Sequence, residues 1–256
     1  DMTKEEFKAE LLDGLAPPPA YFPQNVMMNI KGYDSLDNIM EKGNKPLTPK
    51  EFETVANQTE ALVLDVRNEN DFVKEHIPGS IFIGLHGGFA PWVGALIKDV
   101  KQPILLIIPS GKEEETITRL SRVGFDNTLG YLKGGIEAWK NAGFETDNIQ
   151  SVTPNDFALH YNDAIVIDAR KPSEFEAERV EKGINIPLDY INEHLAEVPK
   201  EDTFYVHCAG GYRSVIWASI MKSRGYHNMI NVEKGMAGIR ETEVPLTKFV
   251  CPSTLK

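Results

Sequence analysis

At 256 residues, 41% hydrophobic and 25% charged, the chain has the composition of an ordinary globular protein, with length for two cores. Its formal charge of −11, from 38 acidic and 27 basic side chains, argues against binding a phosphate backbone, because such binders concentrate Lys and Arg on one face. The longest apolar run, Ile104 to Ile108, is far too short to cross a bilayer, and no signal-peptide layout opens the chain; with only two cysteines and so no disulfide framework, a cytoplasmic protein is expected.

In chain order, Lys4-Glu5-Glu6-Phe7 running to Leu11-Leu12 predicts a short amphipathic helix. Ala16-Pro17-Pro18-Pro19-Ala20-Tyr21-Phe22-Pro23 then reads as a proline-stiffened extended piece. Residues 1–45 are thus expected to be an N-terminal extension, the tail of something upstream, with Leu36 to Asn44 as linker and entry helix.

An internal repeat organises the rest. Thr48-Pro49-Lys50-Glu51-Phe52 recurs as Thr153-Pro154-Asn155-Asp156-Phe157, each a Thr N-cap with Pro at the first helical position. Leu62-Val63-Leu64-Asp65-Val66-Arg67 recurs as Ile165-Val166-Ile167-Asp168-Ala169-Arg170, continuous apolar runs that suit strands buried on both faces of a parallel sheet. Helix starts follow at Glu69 and Ser173, and turns into further strands at His76-Ile77-Pro78-Gly79 and Val180-Glu181-Lys182-Gly183. Ile104 to Ile108 answers to Thr203 to His207, and each leads through a loop to a helix closing at Gly124 or Gly225. Two α/β domains result, 46–146 and 147–256, each a mostly parallel sheet flanked by helices on both faces. Sites in such sheets lie beyond the carboxyl ends of the strands, where Cys208 falls.

His207-Cys208-Ala209-Gly210-Gly211-Tyr212-Arg213-Ser214 joins a buried strand to a helix expected to begin near Ser214. The two glycines allow the backbone to curl so that amides face one spot, and the helix start adds its positive dipole end. Such surroundings favour a thiolate over a thiol. A lone cysteine at a strand end is more often a small core residue; the Gly-Gly loop and the arginine at its far end weigh against that reading. His207, on the opposite strand face, is not expected to act directly. Cys251 has neither glycine loop nor adjacent cation and reads as incidental. The six histidines show no metal-ligand spacing, so no metal is predicted. Gly87-Gly88-Phe89-Ala90-Pro91-Trp92 reads as a flexible aromatic loop making a domain contact, with a substrate wall as the alternative.

The Asp-Ala-Arg strand end, the Cys-x4-Arg loop and the duplicated order of elements resemble the rhodanese, or sulfurtransferase, family over roughly residues 46 to 250. The resemblance implies two rhodanese-like domains, with Cys208 as a persulfide-bearing nucleophile and Ala209, Gly210, Gly211, Tyr212 and Arg213 surrounding the transferred sulfur. Arg213 would close the loop and help fix an anionic donor. Asp168 and Arg170 would support the site structurally, Arg170 pairing with a carboxylate such as Glu174, and Lys234 with Gly235 would come near. The expected partners are a small anionic sulfur donor, such as thiosulfate or a thiol persulfide, and a thiol, sulfite or cyanide acceptor; neither nucleic acid nor membrane is expected, and a homo-oligomer is compatible with the sequence.

The first copy departs from the pattern. Ile108-Pro109-Ser110-Gly111-Lys112-Glu113-Glu114-Glu115 has no cysteine and no loop-closing arginine, and Ser110 without a base is a poor nucleophile. That domain is expected to be an inactive partner kept for packing, pocket walls or docking. Leu12 to Pro23, with Asn29 and Gly32, resembles the end of the metallo-β-lactamase-fold domain in persulfide dioxygenase–rhodanese fusions, which implies iron in an upstream domain and no cofactor in this chain. Two alternatives stay open. A Cys-dependent phosphatase or arsenate reductase is the enzymatic one, although phosphatase loops place five residues between Cys and Arg where this chain has four; the other is a non-catalytic docking module.

Overall fold

The computed structural model describes residues 2–12 and 21–251. The expected helix α1 (Lys4–Leu12) forms, but all its residues are exposed, so its apolar side chains cover nothing among the described residues. The extended piece expected over 16–23 lies largely outside the described residues; its last part does not stay extended. Phe22 and Pro23 instead begin a second helix, α2 (Phe22–Lys31), because proline is tolerated in a first turn whose amides have no partner. The entry helix α3 (Leu36–Gly43) is capped by Ser35, whose hydroxyl accepts from the Asn38 amide at 3.3 Å.

The first α/β unit runs β1 (Pro46–Leu47), α4 (Pro49–Thr59), β2 (Leu62–Asp65), α5 (Glu69–Lys74), β3 (Ile81–Phe82), α6 (Phe89–Leu96), β4 (Ile104–Ile107), α7 (Glu113–Ser121), β5 (Thr128–Leu132) and α8 (Gly135–Asn141). The second runs β6 (Ser151–Val152), α9 (Pro154–His160), β7 (Ile165–Asp168), α10 (Pro172–Ala177), β8 (Gly183–Asn185), β9 (Phe204–His207), α11 (Tyr212–Ser223), β10 (Met229–Val232) and α12 (Gly235–Ile239). Both threonine caps are made: Thr48 and Glu51 form a reciprocal capping box, and the Thr153 hydroxyl accepts from the Asp156 amide at 3.2 Å. The stretch read as a loop at Gly87 to Trp92 is helical from Phe89 onward.

The strand orders are β1-β5-β4-β2-β3 and β6-β10-β9-β7-β8, every pair parallel. Each sheet carries helices on both faces, as the two families of α/β repeats require. Among the described residues no helix is long and apolar enough to cross a membrane. Strand alternation sorts the side chains into layers. Leu105 and Ile107 join the outer core of the first unit with Phe52 and Trp139, while Val166 joins that of the second with Phe157 and Met236. The inner faces do not make separate cores. Leu64, Leu106 and Phe82 of the first unit and Ile167, Val206 and Trp217 of the second belong to one continuous cluster.

Helix α11 makes that fusion possible. Its residues Ser214 to Met221 are all buried, because one side of the helix packs on its own sheet and another meets β3 of the first unit. Ser219 is bonded on both sides there: the Phe82 amide donates to Ser219 Oγ at 3.0 Å, and that hydroxyl donates to the Ile216 carbonyl at 2.7 Å, whereas the indole nitrogen of Trp217 is buried with no partner among the described residues. The loop before α11 is therefore held at the seam between the two units.

Candidate active site

Strand β7 pairs β9 with Asp168 opposite His207, so Cys208 is the first residue past the carboxyl edge of the second sheet. The next turns are set by carbonyl partners. The Met236 amide donates to the Cys208 carbonyl at 2.7 Å and the Ala237 amide to the Ala209 carbonyl at 3.0 Å, fastening the start of the loop to the first turn of α12. Gly235 must be glycine for this approach, since its φ is +51° and a Cβ there would overlap the Cys208 carbonyl. Lys234 and Gly235 thus do reach the site, as backbone.

The loop then turns at Gly211, whose φ of +106° lies in the left-handed region, and its amide donates to Cys208 Sγ at 3.2 Å. Of the two loop glycines only Gly211 uses the left-handed freedom; Gly210 does not, and it is exposed. The ring of several amides expected around the sulfur is, among the described contacts, a single amide. Helix α11 begins at Tyr212, two residues before the expected start, with the Gly211 carbonyl accepting from Ser214 Oγ at 3.0 Å. Cys208 itself is 1% exposed, so its sulfur lies below the surface that Gly210 reaches.

The arginines are paired differently from expectation. Arg170 does not take Glu174. Its Nε meets both oxygens of Asp168 at 2.9 and 3.0 Å, and one terminal nitrogen meets Asp168 at 2.6 Å and the Glu178 carbonyl at 2.7 Å. The chain turns back just after the strand, which brings the residue two positions on alongside the carboxylate. Arg67 repeats the arrangement on Asp65 and the Glu75 carbonyl in the first unit. Glu174 instead receives both terminal nitrogens of Arg213, at 2.6 and 2.8 Å. That bond holds the Glu174 carboxyl below its usual range and raises Arg213, to which the neighbouring Glu174, Cys208 and Asp168 charges add. The loop-closing cation is thereby engaged by an internal carboxylate.

His207 is fully buried, its Nδ1 3.3 Å from the Cys208 carbonyl and its Nε2 3.8 Å from Asp168. Burial pushes it below the ordinary histidine range, against the raising effect of Asp168, and leaves it neutral. Tyr212 sends its side chain out of the loop to the first unit, where its hydroxyl donates to the Gly84 carbonyl at 2.6 Å. Asn185 braces the strand end, its amide nitrogen donating to the Asp168 and Arg170 carbonyls at 2.9 Å each. Sequence reasoning missed Glu174 as the partner of Arg213, Asn185, and the direction of Tyr212. Only the acidic residue before each Phe, Asp71 and Glu174, gave a trace of the first.

The rhodanese-like domain model matches the chain twice, over residues 48–142 and 153–242. Thiosulfate sulfurtransferase PspE of Escherichia coli (strain K12) is 34% identical over 84 residues, covering 32% of this chain and 77% of that protein. YrkF of Bacillus subtilis (strain 168) is 32% identical over 71 residues, 28% of this chain, and there the chain spans only 38% of the relative's length. The crystal structure of a rhodanese-related protein from Thermoplasma volcanium matches 38% of this chain and 97% of its own at 26% identity, with a TM-score of 0.36. With one family model fitting both repeats and most of the chain, this protein belongs to the rhodanese family and carries the rhodanese-like domain twice in tandem.

Proposed function

We propose that the chain is a sulfurtransferase working through a persulfide on Cys208. The Cys208 thiolate attacks the outer sulfur of thiosulfate or of a thiol persulfide, the sulfur–sulfur bond of the donor breaks, and sulfite or the donor thiolate leaves with the electron pair. An acceptor thiolate, sulfite or cyanide then attacks the outer sulfur of Cys208–S–S⁻ and returns the thiolate. The observation that carries this reading is the Gly211 amide donating to Cys208 Sγ at 3.2 Å, inside a loop with four residues between Cys208 and Arg213, one fewer than in phosphatase loops. The family and the sulfurtransferase names among its relatives support the same chemistry.

Because Glu174 occupies Arg213, we assign that arginine to holding the loop against α10, with donor binding left to backbone amides. The cycle needs a reduced thiol, which suits the cytosol. An upstream metallo-β-lactamase-fold domain belongs to the proposal, and sequencing the complete gene tests it.

One observation favours a second reading, a non-catalytic docking module: Cys208 is 1% exposed. Intact-mass analysis after incubation with thiosulfate decides between them. Addition of one sulfur atom, confined to the peptide containing Cys208 and lost to cyanide, is expected; an unchanged mass selects docking. Hydrolysis of p-nitrophenyl phosphate that vanishes in Cys208→Ser, without sulfur transfer, would select the phosphatase reading.

A further inference from the structure

Tyr212 is four residues after Cys208, yet its side chain belongs to the other half of the molecule. Its hydroxyl donates to the Gly84 carbonyl at 2.6 Å, and its ring stands edge-on to Phe82 at 5.6 Å and to His86 at 5.4 Å. A Cβ at Gly87 would overlap that ring, so the seat is shaped for it. The seat is also held from behind. The Leu85 amide donates to the Val66 carbonyl at 3.0 Å, Arg119 donates to the Leu85 carbonyl at 2.6 Å, and His86 Nε2 lies 2.8 Å from Glu69. Burial, with the Glu69 charge beside it, pushes the Tyr212 phenol up, so it remains a donor.

The residue before Tyr212 is Gly211, whose amide meets the sulfur. Two adjacent glycines give this part of the loop more conformational freedom than any other pair of residues would. One end is fixed by the bonds from Met236 and Ala237 to the Cys208 and Ala209 carbonyls, and the other end is fixed where Tyr212 is seated. The Gly211 carbonyl is also held within the second unit, by Ser214 Oγ at 3.0 Å and the Val215 amide at 3.4 Å, so the seat of Tyr212 is the restraint that the first unit adds on the direction of the Gly211 amide.

We infer that Tyr212 is a positioning residue through which the cysteine-less first domain, by clamping it at Gly84 and Gly87, sets the reactivity of Cys208. This rests on Cys208 being the reacting atom. The first domain then has a task that needs no nucleophile of its own.

The test uses the full chain in a Cys251→Ser background, so that only Cys208 reports. Two readouts are taken: the pH profile of Cys208 alkylation by iodoacetamide, and kcat and KM for sulfur transfer from thiosulfate to cyanide. Tyr212→Phe, which removes one oxygen, should lower kcat about threefold to tenfold. Tyr212→Ala and Gly87→Ala should lower it about tenfold to a hundredfold with KM within about twofold, because the amide is misplaced and donor contacts are kept. In all three the alkylation midpoint moves to higher pH, since the thiolate loses its donor. Ser110→Ala, in the exposed loop of the first domain, changes neither readout. Should Tyr212→Ala or Gly87→Ala fold poorly by circular dichroism, Tyr212→Phe alone carries the test. An unmoved midpoint and an unmoved kcat in folded Tyr212→Phe overturn the inference. A wild type that transfers no sulfur, yet whose alkylation midpoint still moves in these variants, overturns the sulfurtransferase reading and leaves the positioning role standing.

Discussion

Arg213 and Glu174 meet in parallel, one terminal nitrogen on each carboxylate oxygen at 2.6 and 2.8 Å, and so join the first turn of α11 to α10 across the mouth of the Cys208 loop. The pair is partly exposed, with side chains 17% and 35% accessible, so its coupling is expected at about 1 kcal/mol and not more. A double-mutant cycle with Arg213→Met and Glu174→Gln measures it; purely additive losses of stability would show that the two do not interact. Arg213→Lys, which lacks the two-pronged geometry, should lose most of the coupling while keeping the charge. The Glu174 carboxyl is held low, so this stability is complete above the unfolded glutamate range, near pH 4.3, and is lost only as pH falls through the lowered folded value.

Gly235, at the start of α12 against the Cys208 loop, and Gly210, within that loop, should respond very unequally to one added methyl. At Gly235 a Cβ meets the Cys208 carbonyl and φ is +51°, so Gly235→Ala is expected to cost about 2–3 kcal/mol from left-handed strain and overpacking together. At Gly210 nothing lies within 4 Å and φ is not positive, so Gly210→Ala should stay within about 0.5 kcal/mol. Urea midpoints at unchanged m-value make the comparison. Equal shifts in the two variants would mean that the loop is not fastened to α12 as described.

His76 and His207 are both buried and both pushed below the ordinary histidine range, burial being the largest cause in each. The Nδ1 of His76 meets the Phe72 carbonyl at 2.8 Å, which fixes its neutral tautomer. In the unfolded chain each takes a proton near pH 6.5, and in the folded chain each resists it. The stability they allow is therefore full above about pH 6.5 and falls as pH drops below that, at up to about 1.4 kcal/mol per pH unit for each. Urea midpoints at pH 7.5 and 5.5 read this slope. His207→Gln should flatten it, and a midpoint independent of pH would contradict the neutral assignment.

The sequence made legible whatever depends on neighbours along the chain. Thr48 and Thr153 announced their helices because a cap bonds to an amide three residues on, and the paired Asp-x-Arg strand ends marked the carboxyl edge where Cys208 falls. Partner choice was not legible, because it depends on how elements lie in space. Sequence proximity pointed Glu174 at Arg170, whereas it takes Arg213, because the order β9-β7 in the sheet sets α10 beside the start of α11. The reach of Tyr212 to Gly84, 128 residues away, follows from α11 packing on β3, a contact that no periodicity encodes. Phe22-Pro23 misled for a different reason: proline marks either an extended segment or a helix start, and only the residues after it decide.

Burial of Cys208 should sort reagents by size. With the residue 1% exposed and Gly210 the exposed part of its loop, a small planar alkylator has only a short distance to penetrate, whereas a bulky one needs the loop to open. In the Cys251→Ser background, iodoacetamide should therefore outpace a polyethylene-glycol maleimide by about tenfold or more relative to the ratio seen with a free small thiol. Preloading with thiosulfate should move the adduct outward: the anionic outer sulfur of the persulfide is then the atom alkylated, and the resulting mixed disulfide releases its label to dithiothreitol, whereas a thioether on unloaded Cys208 does not. A maleimide that labels at the rate of an exposed thiol would show that the loop opens freely in solution, and the sulfur would then be open to protein acceptors as well as to small anions. Subglobal opening of that kind should also appear as fast amide exchange at Gly211, whereas a closed loop protects that amide through its bond to the sulfur.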